Sequence, residues 1–295
     1  MLDFRPITME DRPWIHELLY AAGRRGCEYS FVTLLNWFRF YGGVARVNDF
    51  VCQEMTYRGK TSYLYPAGVG DIRPVLEALR EDAAQRDGPF VLRVTGEDRP
   101  QLEALYPGKF SFTANRDAFD YTYPIEQMTD LTGKKLQSKR NHINRFLAEY
   151  PQWQTKELTD ETAPYFREFA GWWYEHHDQS RSLTTERSAI ETALEHYREL
   201  EMDGLILCDG ERVVAFTIGN RIGRETFDVN FEKADPDVQG AYPMINRQFA
   251  RLIREKYPEV AWLNREDDMG LEGLRRSKES YHPVFLEKYT AVWEG

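Results

Sequence analysis

Hydrophobic and polar residues along this chain follow strand and helix periods in the same order twice. In the first half, alternating strands at residues 50–57 and 62–65 lead into a helical pattern at residues 72–86. In the second half, alternating strands at residues 213–220 and 225–231 lead into a helical pattern at residues 242–256. Each half reads as a strand, two helices, three strands, a helix, a strand, a helix and a closing strand. The pattern therefore predicts an α/β protein of the layered α+β kind, built from two similar units.

That order of elements resembles the GNAT acyltransferase fold, in which helices flank a mixed, mostly antiparallel sheet that splays between its fourth and fifth strands. The resemblance implies a cleft for an acyl donor in each half. A chain of 295 residues has room for two such domains. We predict an N-terminal GNAT-like domain at residues 1–130, a basic connecting helix at residues 131–150 and a C-terminal GNAT-like domain at residues 151–295.

Charge and composition narrow the functional classes. Acidic residues outnumber basic residues by 48 to 38, so DNA binding is not expected and any contact with RNA must be local. No apolar run approaches the ~20 residues that cross a bilayer, and we expect neither a transmembrane segment nor a secretory signal. Cys27, Cys52 and Cys208 show no paired spacing, which favours a reduced, cytoplasmic location. No Cys/His cluster indicates a metal site.

The connecting helix is basic within an acidic protein. Residues 134–150 hold five Lys or Arg residues and no acid before Glu149. Its helical period places the apolar residues Leu136, Ile143, Leu147 and Tyr150 on one stripe. Lys139 and Arg140 flank this stripe. Either the helix is a docked linker with solvated charges, or Lys139 and Arg140 bind the phosphate of an anionic donor.

Two strand-to-helix turns are candidate phosphate sites, because free N–H groups point outward at a helix start. The first turn is at residues 68–71, where Gly68 and Gly70 also suit a plain tight turn. The second turn carries the predicted donor-phosphate residues Gln239, Gly240, Ala241 and Tyr242. It holds a single glycine and lacks the multi-glycine run of typical coenzyme A users.

The strand at residues 225–231 carries the candidate catalytic residues. By the period of two, Asp228 and Asn230 share one face, and Phe227, Val229 and Phe231 share the other. A carboxylate inside an apolar strand faces water, a partner or a cleft. We predict that Asp228 is a base or binds an ammonium group, and that the backbone near Asn230 and Phe231 stabilises the oxyanion of acyl transfer. The alternative is a solvated face.

An apolar strand at residues 260–263 ends in five polar residues, and a helix follows from residue 271. In α/β proteins, a charged loop between a strand and a helix lies at the carboxyl end of the strand, where ligand-binding residues are common. Lys278 falls within the apolar stripe of the helix, so its ammonium either reaches solvent or pairs with an acid such as Asp267, or with a bound anion. We predict no metal ion on the acidic loop. The candidate substrate-binding residues are Asn264, Arg265, Glu266, Asp267, Arg275, Lys278 and Tyr281.

Three segments resemble the C-terminal domain of bacterial phosphatidylglycerol lysyltransferases, a set also known as DUF2156. The first is K-x-x-x-K-R-N-x-I-x-R-F at residues 135–146, similar to the basic helix between the two halves of those proteins. The second is F-D-V-N-F at residues 227–231, followed by P-D-V-Q-G at residues 236–240. The third is N-R-E-D-D-x-G-x-x-G-L-R-x-x-K-x-S-Y-x-P at residues 264–283. The chain is also distantly similar to the aminoacyl ligases that build peptidoglycan cross-bridges.

The resemblance implies a tandem GNAT fold and transfer of an aminoacyl group from aminoacyl-tRNA to a lipid hydroxyl. The sequence departs from the lysyltransferases in two respects. It shows no membrane region of the kind that they carry at the N-terminus. It also has Phe231 where their strand commonly has an arginine. Both departures bear on a lipid acceptor.

We therefore predict an acyl-group transferase. The donor is aminoacyl-tRNA or acyl-CoA, the acceptor is an amine or a hydroxyl of a small molecule, lipid headgroup or peptide, and no cofactor is tightly bound. One alternative is a coenzyme-A-dependent N-acyltransferase on a small amine. Another is a protein without catalytic activity that binds an anionic ligand or a protein.

Overall fold

The computed structural model describes residues 1–38, 41–57, 59–176 and 181–295, and the chain divides into two compact units. Unit 1 comprises residues Met1–Tyr121, Glu266–Arg276 and Val284–Gly295. Unit 2 comprises residues Thr122–Arg265 and Ser277–Pro283. Both units are therefore discontinuous in sequence.

The first elements along the chain alternate in the predicted manner. They are α1 (Arg12–Ala22), α2 (Phe31–Trp37), β1 (Gly42–Val47), β2 (Phe50–Tyr57), β3 (Lys60–Leu64), β4 (Ala67–Gly68), α3 (Arg73–Gln85), β5 (Val91–Thr95), α4 (Arg99–Leu105), β6 (Phe110–Ala114), β7 (Asp120–Pro124) and α5 (Ile125–Asp130). The sequence pattern did not predict β1, β6 and α5.

The remaining elements begin with the basic helix. They are α6 (Gln137–Glu149), β8 (Trp153–Glu157), α7 (Ala163–Glu175), α8 (Arg181–Glu195), β9 (Asp203–Asp209), β10 (Arg212–Ile222), β11 (Thr226–Ala234), α9 (Ala241–Lys256), β12 (Trp262–Asn264), α10 (Glu272–Glu279), β13 (Val284–Leu286) and β14 (Lys288–Trp293). Of the helices that these residues form, none combines the length and the apolar character needed to cross a bilayer.

The sheet of unit 1 has the strand order β1-β2-β3-β5-β14-β6, and β4 pairs with β2. Strands β3 and β5 run parallel, with Tyr63 opposite Leu92 and Leu64 opposite Arg93. Tyr63 and Leu92 are fully buried and belong to the same apolar cluster as the buried side of α3. Burial of these side chains removes large apolar surfaces from water and holds α3 against one face of the sheet.

In unit 2 the strand order is β7-β12-β11-β10-β9-β8. Helix α7 lies on one face, where Phe166 and Phe169 contact the ring of Phe216. Helix α9 lies on the other face, where Phe249 contacts Phe227 with ring centres 5.6 Å apart. The predicted fold class is confirmed: each unit is a mixed, mostly antiparallel sheet flanked by helices, in a tandem GNAT-like arrangement.

The predicted domain boundaries differ from the structural units at the end of the chain. The prediction placed residues 151–295 in one C-terminal domain, but β14 pairs with β5 and β6 in the sheet of unit 1. Ala291, at the centre of β14, is fully buried in the core of unit 1. Backbone hydrogen bonds on both sides of β14 and this burial fix the strand there, and a local pattern cannot reveal the identity of such partners.

The predicted basic helix is present as α6, with a short 3-10 turn before it. Its buried side chains are Ile143 and Phe146, with Leu136 buried in the turn. Leu147 and Tyr150, which were assigned to the stripe, are only half-buried. Phe146 is buried in place of Leu147 because the start of α9 packs against the side of α6 that carries Phe146.

We expect Gly240→Ala to lower stability by about 1–3 kcal/mol. Gly240 precedes α9 with φ of +86°, and an added Cβ would lie 2.5 Å from the carbonyl oxygen of His142 on α6. The variant therefore suffers both backbone strain and a clash with α6. The midpoint of urea unfolding measures the loss.

Gly23→Ala is the matched control, because Gly23 is also left-handed, with φ of +63°, and has open space around its Cβ position. It should show only the cost of the positive φ, on the order of 1–2 kcal/mol. Equal losses in the two variants would show that the contact with α6 does not restrict residue 240.

Candidate functional site

The sheet of unit 2 opens between β11 and β12. The two strands run parallel and pair at three positions only, which end with Asp228 opposite Asn264. Strand β11 then continues to Ala234 and remains paired with β10 on its other side. We call this gap the β11–β12 opening. It begins at Asp228, the residue that the sequence singled out.

A β-bulge lies next to the opening. Ile218 of β10 pairs with Phe231 and Gly219 pairs with Val229, so Asn230 is an extra residue on β11. A bulge of this kind changes the direction of the backbone and is common beside active sites. The predicted oxyanion residues Asn230 and Phe231 therefore lie where the strand is irregular and has separated from β12.

Asp228 belongs to a buried polar row across four strands. Strand pairing places Asn220, Asp228, Asn264 and Thr122 side by side on β10, β11, β12 and β7. All four are at most 5% exposed. The amide of Asn230 donates to Asp228 Oδ2 at 3.0 Å. Because Phe227 faces α9, the alternation of the strand points Asp228 to the opposite face of the sheet.

An ion pair flanks the opening on the face that carries α9. Glu232 of β11 accepts from Arg265 Nη2 at 2.9 Å, and Arg265 directly follows β12. Asn246 of α9 donates to the same oxygen of Glu232 at 2.9 Å. The side chains of Glu232 and Arg265 are only 11% and 10% exposed. The ion pair is thus largely shielded from water. Each charge is therefore stabilised mainly by its partner and not by solvent.

Two tyrosine rings surround the guanidinium of Arg265, and Lys139 joins them. The guanidinium carbon lies 5.9 Å from the ring centre of Tyr123 and 5.3 Å from that of Tyr281. Lys139 Nζ lies 4.0 Å above the ring of Tyr281. Burial, assisted by the charge of Arg265 and opposed by that of Glu232, lowers the pKa of Lys139 to about 8. Two cations and one carboxylate thus leave one excess positive charge, which suits an anion.

The other predicted phosphate residues make contacts of a different kind. Arg140 donates to the carbonyl oxygens of Leu131 and Gly133 and to the side chain of Gln137, so it fastens the loop before α6. This engagement favours the docked-linker alternative for Arg140, whereas Lys139 lies beside Arg265.

The start of α9 is occupied by protein contacts. The N–H of Ala241 donates to the carbonyl oxygen of Val238 at 3.1 Å, and Gly240 lies against α6. Gln239 is exposed. Tyr242 is 38% exposed, and burial of its hydroxyl group together with the charge of Glu232 raises its pKa to about 12. The glycine at 240 is explained by the close approach of α6.

The structure divides the predicted substrate residues between the units. Asn264, Arg265, Lys278 and Tyr281 lie in unit 2. Lys278 is buried, and its ammonium donates to the carbonyl oxygen of Arg265 at 2.5 Å. This contact fixes the backbone at Arg265 because the carbonyl and the ammonium are both shielded from water.

Glu266, Asp267 and Arg275 lie in unit 1. Arg275 donates to Asp268 at 2.9 Å and to Asp117 at 2.6 Å. Asp267 accepts from the N–H of Met269 at 3.1 Å. The carboxylate of Asp268 is fully buried, and bonds from Arg275 and Tyr121 outweigh its desolvation and hold its pKa below the usual range. Arg275 is therefore engaged in a network inside unit 1, although the sequence grouped it with Arg265.

Several residues of the site were missed by the sequence analysis. Glu232 follows Phe231 directly and was missed because the predicted strand ended at residue 231, whereas β11 continues to Ala234. Asn246 lies in the first turns of α9, four residues after Tyr242, and its amide also donates to the carbonyl oxygen of Tyr242 at 2.7 Å. Asn220, Thr122 and Tyr123 reach the site through strand pairing alone, which carries no local signal.

One cluster in unit 1 has the ligand types of a metal site. Cys27, Glu28 and Asp120 are buried, and their ligand atoms lie within 4.8 Å of one another. Lys288 Nζ contacts all three, at 2.6 Å from Asp120, 2.8 Å from Glu28 and 3.5 Å from Cys27. The ammonium supplies the positive charge that these carboxylates need, so the cluster is a buried ion-pair network.

Comparison with known proteins identifies relatives of the whole chain. The family model described as phosphatidylglycerol lysyltransferase, C-terminal, matches residues 21–292. A crystal structure of a conserved protein of unknown function from Bacteroides thetaiotaomicron is 38% identical, with a TM-score of 0.91 and complete coverage of both chains.

More distant relatives share the fold. The structure of L-PGS from Bacillus licheniformis is 15% identical, with a TM-score of 0.67, and the match covers 100% of this chain and 94% of that one. An uncharacterized protein of Mycoplasmoides gallisepticum is 24% identical over 173 residues, which cover 57% of this chain. The match spans about half of that curated relative, 54% of its length.

Proposed function

Because the chain belongs to the family of the phosphatidylglycerol lysyltransferase C-terminal region, we propose that it transfers an aminoacyl group from aminoacyl-tRNA to an amine or hydroxyl acceptor. The observation that carries the proposal is the opening of the unit 2 sheet at Asp228, beside the bulge at Asn230. A strand that is free on one side can direct a backbone N–H at the oxyanion of acyl transfer, whereas a strand paired on both sides has its N–H groups engaged.

Each residue at the opening has a chemical role in this proposal. The nitrogen or oxygen of the acceptor attacks the ester carbonyl of the donor, and the bond to the ribose oxygen of tRNA breaks. Asp228 takes the proton of the acceptor or holds its ammonium group. A backbone N–H near Asn230 and Phe231 stabilises the oxyanion. The ribose hydroxyl leaves with a proton, so charge is conserved.

Lys139 and Arg265 are proposed to hold a donor phosphate. Both side chains lie beside Glu232, and the cluster has an excess positive charge. An acyl-CoA donor remains the alternative, but the start of α9 argues against it. The position where a glycine-rich turn would cradle the coenzyme phosphates is packed on α6 at Gly240.

We expect Lys139→Ala to weaken binding of aminoacyl-tRNA by about 10- to 100-fold, because a charge-assisted hydrogen bond contributes about 1.5–3 kcal/mol. Binding should also weaken as the pH rises through about 8, where Lys139 loses its proton. Bound phosphate favours the charged form, so the decline begins at a higher pH in the complex. Filter binding of labelled aminoacyl-tRNA at pH 7 to 9 measures both effects.

The matched control is Lys135→Ala, which removes an exposed lysine just before α6. It should leave the affinity and its pH dependence nearly unchanged. If coenzyme A stabilises the protein against heat and aminoacyl-tRNA does not, the donor is reassigned. A ligand at 100 times its Kd raises the free energy of unfolding by about 2.7 kcal/mol. If neither ligand stabilises the protein, the hypothesis of a binding protein without catalytic activity is favoured.

A further inference from the structure

Unit 1 holds a partly buried guanidinium without a carboxylate partner. Arg93 lies on β5, where Nη2 donates to Gln53 Oε1 at 3.3 Å. Its guanidinium carbon lies 5.2 Å from the ring centre of Phe38. Among the residues that the structure describes, no ion pair joins Arg93 to an acid. Glu28 is near enough to influence its pKa, but the carboxylate of Glu28 is bonded to Lys288.

Two buried polar atoms of this pair have no hydrogen-bond partner among the described residues. They are Nε of Arg93 and Nε2 of Gln53. Gln53 is only 1% exposed, and its Oε1 accepts from Arg93. Buried polar groups in native proteins are nearly always hydrogen-bonded, so a set of such atoms indicates an unseen partner.

Arg93 lies on the strand of unit 1 that corresponds to β12 of unit 2. Strand β5 follows α3 and runs parallel to β3, just as β12 follows α9 and runs parallel to β11. The partner of Leu64 in unit 1 is Arg93, whereas the partner of Asp228 in unit 2 is Asn264. The charged member of the pair is therefore the cation Arg93 on the later strand in unit 1 and the carboxylate Asp228 on the earlier strand in unit 2.

The chemistry of the ligand follows from the groups that lack partners. The guanidinium and the amide nitrogen of Gln53 are donors, and one positive charge needs one negative charge. Burial lowers the pKa of Arg93, which is the direction expected for a cation without a counterion. The nearby charge of Glu28 disfavours a dianion. A planar monoanion satisfies these conditions, because guanidinium and carboxylate match in geometry.

We propose that unit 1 contains a binding site for the carboxylate of a small molecule, centred on Arg93 and Gln53 and bordered by the ring of Phe38 after α2. Arg93 keeps part of its surface exposed, so a small ligand can reach it. The site does not depend on the transfer reaction proposed for unit 2.

Thermal unfolding of the full chain with acetate or glycine, at constant ionic strength, tests the site. We expect saturating acetate to raise Tm by roughly 3 °C or more above the value in chloride. Gln53→Glu places a carboxylate of nearly the same shape beside Arg93. This variant should melt above the wild type without ligand, and acetate should no longer raise its Tm.

Gln85→Glu, at an exposed position on α3, controls for the added charge and should retain the full acetate effect. Arg93→Met should also lose the acetate effect, and its Tm without ligand should fall only slightly, because Gln53 loses one long hydrogen bond and no buried acid loses a partner. The proposal is overturned if acetate and glycine have no effect. It is equally overturned if Gln53→Glu retains the effect, or if phosphate alone stabilises the protein.

Discussion

Replacing Asp228 with asparagine is expected to lower kcat for acyl transfer by about 10²- to 10⁴-fold, the usual contribution of a positioned acid or base. Asparagine has nearly the same shape, but it cannot accept a proton or balance an ammonium group. The side chain is fully buried and receives a hydrogen bond from Asn230. The effect should therefore appear mainly in kcat, with the affinity for the donor little changed.

Single-turnover transfer of a labelled aminoacyl group measures this effect, and circular dichroism checks the fold. Asp209→Asn is a suitable control, because Asp209 ends β9 in the same sheet and is partly exposed. Its kcat should match that of the wild type. An Asp228→Asn protein with wild-type kcat would remove Asp228 from the mechanism and leave the opening without a base.

The second large effect is expected for Arg265→Met, at about 3–5 kcal/mol of lost stability. The variant removes the cation that is bonded to Glu232 and leaves this largely dry carboxylate with the amide of Asn246 and the nearby charge of Lys139. A buried carboxylate without its bonded cation is costly, whereas removal of both charges of the bonded pair is much less so. The double variant Arg265→Met/Glu232→Gln should therefore recover most of the loss.

Urea unfolding of the single and double variants measures the coupling between the two residues. Arg145→Met is the control, because Arg145 and Glu149 form an exposed pair 3.8 Å apart on α6. Its loss should stay within about 1 kcal/mol, as for other surface pairs. A double variant no more stable than Arg265→Met would mean that packing against the tyrosines, and not charge, gives Arg265 its importance.

The sequence by itself determined the class of the fold, and it predicted the strand in which the sheet of unit 2 opens. Period-two alternation placed Asp228 and Asn230 together on a strand, and the helix patterns after each group of strands predicted two similar units. These features are local, because the side-chain direction in a strand or helix is set by neighbouring residues. The cationic helix and its Lys139 were likewise evident from charge and period alone.

Only the tertiary structure decided which distant segments meet. It placed β14 in the sheet of unit 1 and divided the polar segment after β12 between the units. It also gave Lys139 and Arg140 different contacts, since Arg140 bonds the loop before α6. It also brought Glu232, Arg265 and Tyr281 together, and it paired Arg93 with Gln53 and with no acid among the described residues. The physical reason is that strand pairing and side-chain burial join residues far apart in sequence, and many alternative partners would satisfy the same local pattern.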